Sequence, residues 1–230
     1  MCLWLQATAT DEAPTRHKTQ STCLIDYAKN NAELFHDEDG RGFATYQVGG
    51  HKETWPIHKC SAFKDWVKNQ YYQEAQHGAS SAAWQDAYST IDALARYDKG
   101  GQTRAVHMRM AYNEGRIYID MCDSEWRAIE ITPEAWSVVS QSPVRFIRNR
   151  GMKALPTPIH GGLNKLFDHL NVPKKDHCLV QAWVIAAMRP TGPYPVLILQ
   201  GEQGTCKSTA ARVLRSLVDP SQAPLRSAPR

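Results

Sequence analysis

An α+β region containing an antiparallel β meander, followed by the truncated start of an α/β domain, is the fold class this sequence predicts. Three observations carry it. Apolar residues recur at period two over residues 105–148, the pattern of strands with one face buried. Leu155-Pro156-Thr157-Pro158 and His160-Gly161-Gly162 then punctuate the chain, two prolines fixing an extended backbone and two glycines releasing it. Beyond them, the apolar run Val196-Leu197-Ile198-Leu199 leads through a glycine-spaced loop into a segment with apolar residues at helical spacing.

Composition sets the bounds. The chain has 230 residues, 42% of them hydrophobic and 22% charged, the ordinary balance of a folded globular protein with room for one large or two small cores. Its longest apolar runs, Cys178 to Met188 and Val196 to Leu199, are too short to span a bilayer, so no membrane partner is expected. Met1-Cys2-Leu3-Trp4-Leu5 lacks the basic lead of a secretory signal, and the 6 cysteines show no paired spacing; a cytoplasmic location with reduced thiols follows as the expectation. A net charge of +4 permits a polyanionic partner without demanding one. The cations gather late in the chain, at Arg145, Arg148, Arg150 and Lys153 and again at Arg212, Arg215, Arg226 and Arg230.

Element by element, the chain divides into residues 1–20, a mobile lead; 21–154, an α+β domain of helices followed by the meander; and 155–230, a helical linker region with the beginning of a second domain. A helix is expected near Leu24 to Phe35, a strand at Phe43 to Val48, and a turn at Gly49-Gly50. Ser61 is placed as the N-cap of a helix carrying Phe63, Trp66, Val67 and Tyr71 on one face. Ser81 opens another, with Trp84, Tyr88, Ile91, Leu94 and Ala95 in a stripe that reads as core rather than as a base-stacking platform. In the meander, Val106, Met108, Met110 and Tyr112 form one face, and Ile117, Ile119 and Met121 follow the turn Asn113-Glu114-Gly115. Strands at Trp126 to Ile131, Trp136 to Val139 and Val144 to Ile147 extend it. After the linker come a short helix, Leu163 to Leu170, and a nearly all-apolar one, Asp176 to Met188, which should be buried between other elements.

The chemistry-bearing stretch is Gly201-Glu202-Gln203-Gly204-Thr205-Cys206-Lys207-Ser208-Thr209, set between an apolar strand and a helix with Ala210, Val213, Leu214, Leu217 and Val218 on one face. This is the context a phosphate-binding loop requires. Glycines let successive N–H groups turn inward on phosphate oxygens, and the helix N-terminus adds free donors and its dipole. Lys207 then serves the β- and γ-phosphates of ATP, and Ser208 holds one position on a Mg2+ ion bridging them. Thr209 lies by the α-phosphate or caps the helix. One residue departs from the pattern: Cys206 stands where glycine is expected, at a cost of about 1 kcal/mol if the position needs positive φ. The bland alternative is a structural glycine turn ahead of a helix.

These residues also carry a resemblance. Through Phe43-Ala44-Thr45-Tyr46, Glu53-Thr54-Trp55-Pro56, Gly115-Arg116-Ile117-Tyr118-Ile119-Asp120, Glu125 to Ile131, Arg189-Pro190, the loop Gly201-Glu202-Gln203-Gly204, and Asp219-Pro220 to Pro224-Leu225-Arg226, the chain resembles ATP-binding proteins of bacterial mobile elements and phages, replicative primase-helicase-like P-loop ATPases. The resemblance implies an ATPase core of the ring-forming helicase kind, a homo-oligomer in the full-length protein, and single- or double-stranded DNA as partner. It also implies that the acidic residue and arginine finger needed for hydrolysis lie downstream of the loop. The chain is accordingly read as the N-terminal portion of a longer ATPase, retaining nucleotide binding but not turnover, with no catalytic residue of its own. Two rivals stand beside this reading: a nucleic-acid-binding or assembly module with a vestigial loop, and a P-loop phosphotransferase, disfavoured because such enzymes usually begin with their loop strand.

Other constellations are weaker. His51, His58 and Cys60 lack a second ligand pair for zinc, and His160 and His169 read as exposed polar residues. Asp120, Asp123, Glu125 and Glu130 suggest a two-metal site, although alternation along the hairpin equally places Asp120 on a solvated face. Val144 to Arg150 alternates basic and apolar residues, as a strand touching a nucleic-acid backbone or simply a solvated strand face would.

Overall fold

The computed structural model describes residues 18–58, 60–98 and 101–225. The lead, apart from its last residues, and the basic residues Arg226 and Arg230 lie outside these ranges. Three apolar cores follow one another along the chain, each built by a different kind of element.

The first core begins with α1 (Gln20–Asn31), capped by Thr19, whose hydroxyl accepts a hydrogen bond from the Thr22 amide at 3.2 Å. The expected helix to Phe35 stops short. Asn30 and Asn31 are weak helix formers, the Asn31 side chain folds back to donate to the Tyr27 carbonyl at 3.0 Å, and Ala32–His36 becomes strand β1. Pairing decides the outcome. β1 runs antiparallel to β2 (Gly42–Val48), putting Phe35 opposite Phe43 with ring centroids 5.7 Å apart. The reversal between them is tied by Asp37, which accepts from the Asp39 and Arg41 amides at 3.1 and 2.8 Å. Gly49-Gly50 turns β2 into β3 (His51–Pro56), a strand the sequence reading did not place.

Helices α2 (Ser61–Ala75) and α3 (Ser81–Tyr97) cover one face of this sheet together with α1. The cap of α2 sits one residue earlier than read, at Cys60; α3 opens at Ser81 as read, and Ser80 caps it by accepting from the Ala83 amide at 3.1 Å. Phe63, Val67, Tyr71, Trp84, Ile91 and Ala95 are buried against Ala44 and Tyr46, so the aromatic stripe is core.

The second core belongs to the meander β5 (Met110–Asn113), β6 (Arg116–Asp120), β7 (Ala128–Ile131) and β8 (Trp136–Val139), antiparallel throughout. Three sequence expectations fail here. The first strand is broken at Arg109, whose φ of 36° lies in the left-handed region, and its start becomes a separate strand, β4 (Val106–His107). The last strand, β9 (Arg145–Phe146), does not extend the meander. Beyond Pro143 it pairs in parallel with β4 and delivers Phe146 to Ala111, Tyr118 and Ala128. The expected face is also inverted, because Ala111 and Arg109 are buried while Met108 and Tyr112 are exposed.

The third core joins a 3-10 helix (Leu163–Asp168), α4 (His177–Ala187) and α5 (Lys207–Val218) around Leu170, Val180, Val184 and Leu214. Contrary to expectation, α4 is not enclosed: Leu179 and Ile185 are 68% and 62% exposed, since among the described residues nothing packs on that side. No helix among them is long and apolar enough to cross a membrane.

Two arginines, both largely buried, make the ion pairs at these junctions, Arg109 with the half-exposed Asp219 and Arg148 with the buried Asp120. The Arg109 guanidinium donates to Asp219 Oδ1 (3.0 Å), the Asp120 carbonyl (3.0 Å), the Lys153 carbonyl (2.9 Å) and the Pro220 carbonyl (3.4 Å). Backbone bonds reinforce the junction, from the Lys153 amide to the Pro220 carbonyl at 3.0 Å and from the Gln222 amide to the Gly151 carbonyl at 2.9 Å. Asp120, only 1% exposed, is gripped from two sides by Arg148 Nε and a terminal nitrogen at 2.9 and 2.6 Å. The Arg148 plane lies 3.9 Å over the Trp126 ring.

Arg109→Ala should lower unfolding free energy by about 2–4 kcal/mol in urea titrations, because three carbonyls and Asp219 lose a buried donor; Arg109→Lys should recover little, since a point charge cannot serve four acceptors. A pH dependence follows from Asp123. Its partial burial disfavours charge, but the side-chain and backbone N–H groups of Arg127 and the charges of Arg127 and Arg148 outweigh that and hold its carboxyl below the ordinary 3.8. The unfolded chain takes up this proton first, so the stabilisation is complete above about pH 5 and is lost as pH falls through the depressed folded value. Denaturant midpoints measured against pH should therefore drop in acid, with a shallower slope for Asp123→Asn.

Candidate functional site

The glycine loop is presented by three local devices. The Trp183 indole on α4 donates to the Pro195 carbonyl at 2.9 Å and fixes the start of the apolar run. From there side chains alternate, with Leu197 and Leu199 half-buried toward the helices and Val196 and Ile198 turned out, 85% and 72% exposed. The expected strand is not formed: a parallel strand exists only by pairing, and among the described residues no neighbour pairs with 196–199. Leu214 then seats α5 on α4, so the loop emerges where both elements start from a common core.

Within the loop, two glycines are required by geometry. Gly204 adopts φ 86°, and a Cβ on Gly201 would meet Thr205 Oγ1 at 2.8 Å. Cys206 is the N-cap residue of α5 and adopts φ 60°, so the position does need left-handed backbone and a cysteine occupies it under strain. Its thiol is exposed, 3.8 Å from the Gly204 carbonyl.

The loop closes around one ammonium group. Lys207 Nζ donates to the Gly201 carbonyl at 2.9 Å, the Glu202 carbonyl at 2.6 Å and Thr205 Oγ1 at 3.2 Å, while the Thr205 hydroxyl donates to the Glu202 carbonyl at 2.8 Å. Ser208 and Thr209 stand exposed on the first turn of α5, a turn whose leading amides have no partner within the helix. Gln203 is exposed beside them. A cavity of about 580 Å³ adjoins this mouth, walled by Val172, Leu179, Leu199, Gly201, Thr205 and Lys207 among others. The residues from Gly201 to Thr209 are thus brought to one place, with a cation and exposed hydroxyls side by side.

The remaining sequence candidates are taken up elsewhere. Of the four acids, Asp120, Asp123 and Glu130 are neither a metal cluster nor a solvated face, since they pair with Arg148, Arg127 and Arg116 at 2.6, 2.7 and 2.8 Å, whereas Glu125 is exposed as a solvated residue. Arg145 and Arg148 are correspondingly spent on Glu33 and Asp120 rather than offered to a nucleic-acid backbone or to solvent. His51 meets Glu53 and His58 meets Asp92, and no cluster of three or more metal-ligating side chains occurs among the described residues. Sequence reasoning missed Arg109 altogether, because a lone arginine within a strand pattern carries no signal of burial.

No curated protein and no solved structure matches the chain. The family model described as actinomycete integrative conjugative element replication protein matches residues 163–230, the segment holding the third core, the glycine loop and the Asp219–Pro220 junction. That match connects this part of the chain with the replication of mobile elements.

Proposed function

We propose that residues 201–209 bind the triphosphate of ATP, with Mg2+, as part of a mobile-element replication ATPase. The observation that carries this reading is the loop curled on the Lys207 ammonium, with Gly201 and Gly204 at positions where a side chain would clash or strain. A cradle lined by backbone, closed by one lysine and set at a helix N-terminus suits a phosphate chain. Lys207 would exchange its carbonyl acceptors for phosphate oxygens, the amides of Gly204 to Thr209 would face the anion, and the Ser208 hydroxyl would take one place on magnesium. The metal's contribution would be to neutralise and orient the phosphates. The family match to residues 163–230 supports the replication setting.

The rival, a nucleic-acid-binding or assembly module with a vestigial loop, draws on the strain at Cys206 and on the unpaired run 196–199. Nucleotide binding separates the two. ATP with magnesium should bind saturably in calorimetric titration, and Lys207→Ala should weaken it by roughly 10- to 100-fold, the value of a charge-assisted contact. No measurable affinity, or affinity indifferent to Lys207→Ala, overturns the proposal. Cys206→Gly should raise the melting temperature through relief of about 0.5–1 kcal/mol in the free loop.

A further inference from the structure

A second, differently built site lies between the two sheets of the N-terminal region. Glu33, Thr45 and Thr54 stand opposite one another across β1, β2 and β3, and Lys52 is two residues from Thr54 on the same strand. This is the sheet face turned away from the helices, which pack on Ala44 and Tyr46. The chain joining β8 to β9 passes over it, enclosing a cavity of about 210 Å³ with Gln141, Arg145 and Trp126 in its wall. An apolar cavity of about 150 Å³ accepts a benzene ring, so this one has room for a heterocycle.

The lining is unusual for a packing defect. Thr54 is polar and 4% exposed, bonded to Thr45 through their hydroxyls at 2.8 Å. Arg145 is held by Glu33 through one terminal nitrogen at 2.7 and 2.8 Å, which leaves its Nε buried without an acceptor. Trp126 is a bulky residue at φ 54°, a conformation it would leave unless its surroundings fixed it. Arg148 beneath its ring and Trp55 in edge contact at 5.7 Å do so. The charges do not cancel: Glu33 is matched by Arg145, and Lys52 is exposed with no carboxylate within ion-pair distance among the described residues.

We infer that this cavity binds a nucleotide, its ring among Trp126, Thr54 and Gln141 and its phosphate at Lys52. The ligand's chemistry combines a planar ring of the right size, hydrogen-bonding edges for Thr54 and Gln141, and negative charge for an unpaired lysine; a free nucleotide and one unit of a single strand share it. The site is independent of the glycine loop, and its test is arranged accordingly.

The whole chain carrying Lys207→Ala, which disables the loop, is titrated calorimetrically with thymidine monophosphate and, separately, with a short oligothymidylate. Saturable binding of either is expected, weakened about tenfold or more by Lys52→Glu and by Gln141→Trp, which fills the cavity from an exposed loop. Tighter binding of the oligonucleotide with marked salt dependence identifies a strand as the source, and equal binding of the monophosphate identifies a free nucleotide. Failure of both ligands to bind, unchanged affinity in both variants with native circular dichroism, or equal binding of ribose 5-phosphate overturns the inference.

Discussion

A single buried guanidinium holds the C-terminal helices to the rest of the molecule. Arg109 stands at the break between β4 and β5, and its donors reach the end of β6, the segment at Lys153 and the residues just after α5. Such a group is costly to bury alone and stable only when every donor finds a partner. That condition gives the arrangement its specificity: β5, β6, residue 153 and the α5 terminus must all arrive for the charge to be met. The left-handed backbone at Arg109 is the accompanying strain, sustained because the surroundings over-determine it. The glycine loop lies at the opposite end of α5, a rigid rod of about 18 Å for 12 residues, so a junction with no ligand chemistry of its own fixes the base from which the loop projects.

The second ion pair, Asp120 with Arg148, changes how the chain's positive charge should be understood. Two arginines that cluster in the sequence go to separate acids, Arg145 to Glu33 and Arg148 to Asp120, and Arg116, outside the cluster, pairs with Glu130. Charge spent on internal carboxylates adds little to the field felt by a polyanion at a distance. Of the cations left without an ion pair among the described residues, two stand at cavity mouths, Lys52 beside the two-sheet cavity and Lys207 in the glycine loop, while Arg150 and Arg212 are exposed elsewhere. Recognition by such groups is short-range and depends on shape, which is a different expectation from a basic stripe along a surface.

How much of this was legible in the sequence depended on the range of the interactions involved. The stripes through Phe63–Tyr71 and Trp84–Ala95 were readable because 3.6-residue spacing is a local property, and the loop was readable because its glycines, lysine and serine lie within one turn of chain. The end of α1 was not, since β1 exists only through its pairing with β2, with Phe35 against Phe43. The meander's faces were inverted for a related reason. Side-chain size made Met108 and Tyr112 look internal, yet Ala111 faces the core and both neighbours of the break, Arg109 and Asp120, are buried by ion pairing that no periodicity records. Residues 196–199 show the limit most clearly: their alternation is that of a strand, and strand formation still awaits a partner that hydropathy cannot supply.

The open side of that run bears on the energetics of the proposed nucleotide site. Val196 and Ile198 expose one face and Leu179 and Ile185 another, so the loop's shape is maintained from within. Lys207 supplies that internal closure by spending three donors on the loop itself. A phosphate must therefore displace interactions already made, and net affinity is the difference between charge-assisted bonds to the anion and those to two carbonyls and a hydroxyl. Carbonyls carry only partial charge, so on the proposed reading the exchange would favour phosphate, and the strain at Cys206 would set how far, because whichever state relaxes that left-handed cysteine more gains from it. Nucleotide affinity, under the proposed reading, would thus be governed less by which groups line the loop than by how stable it is when closed on its own lysine.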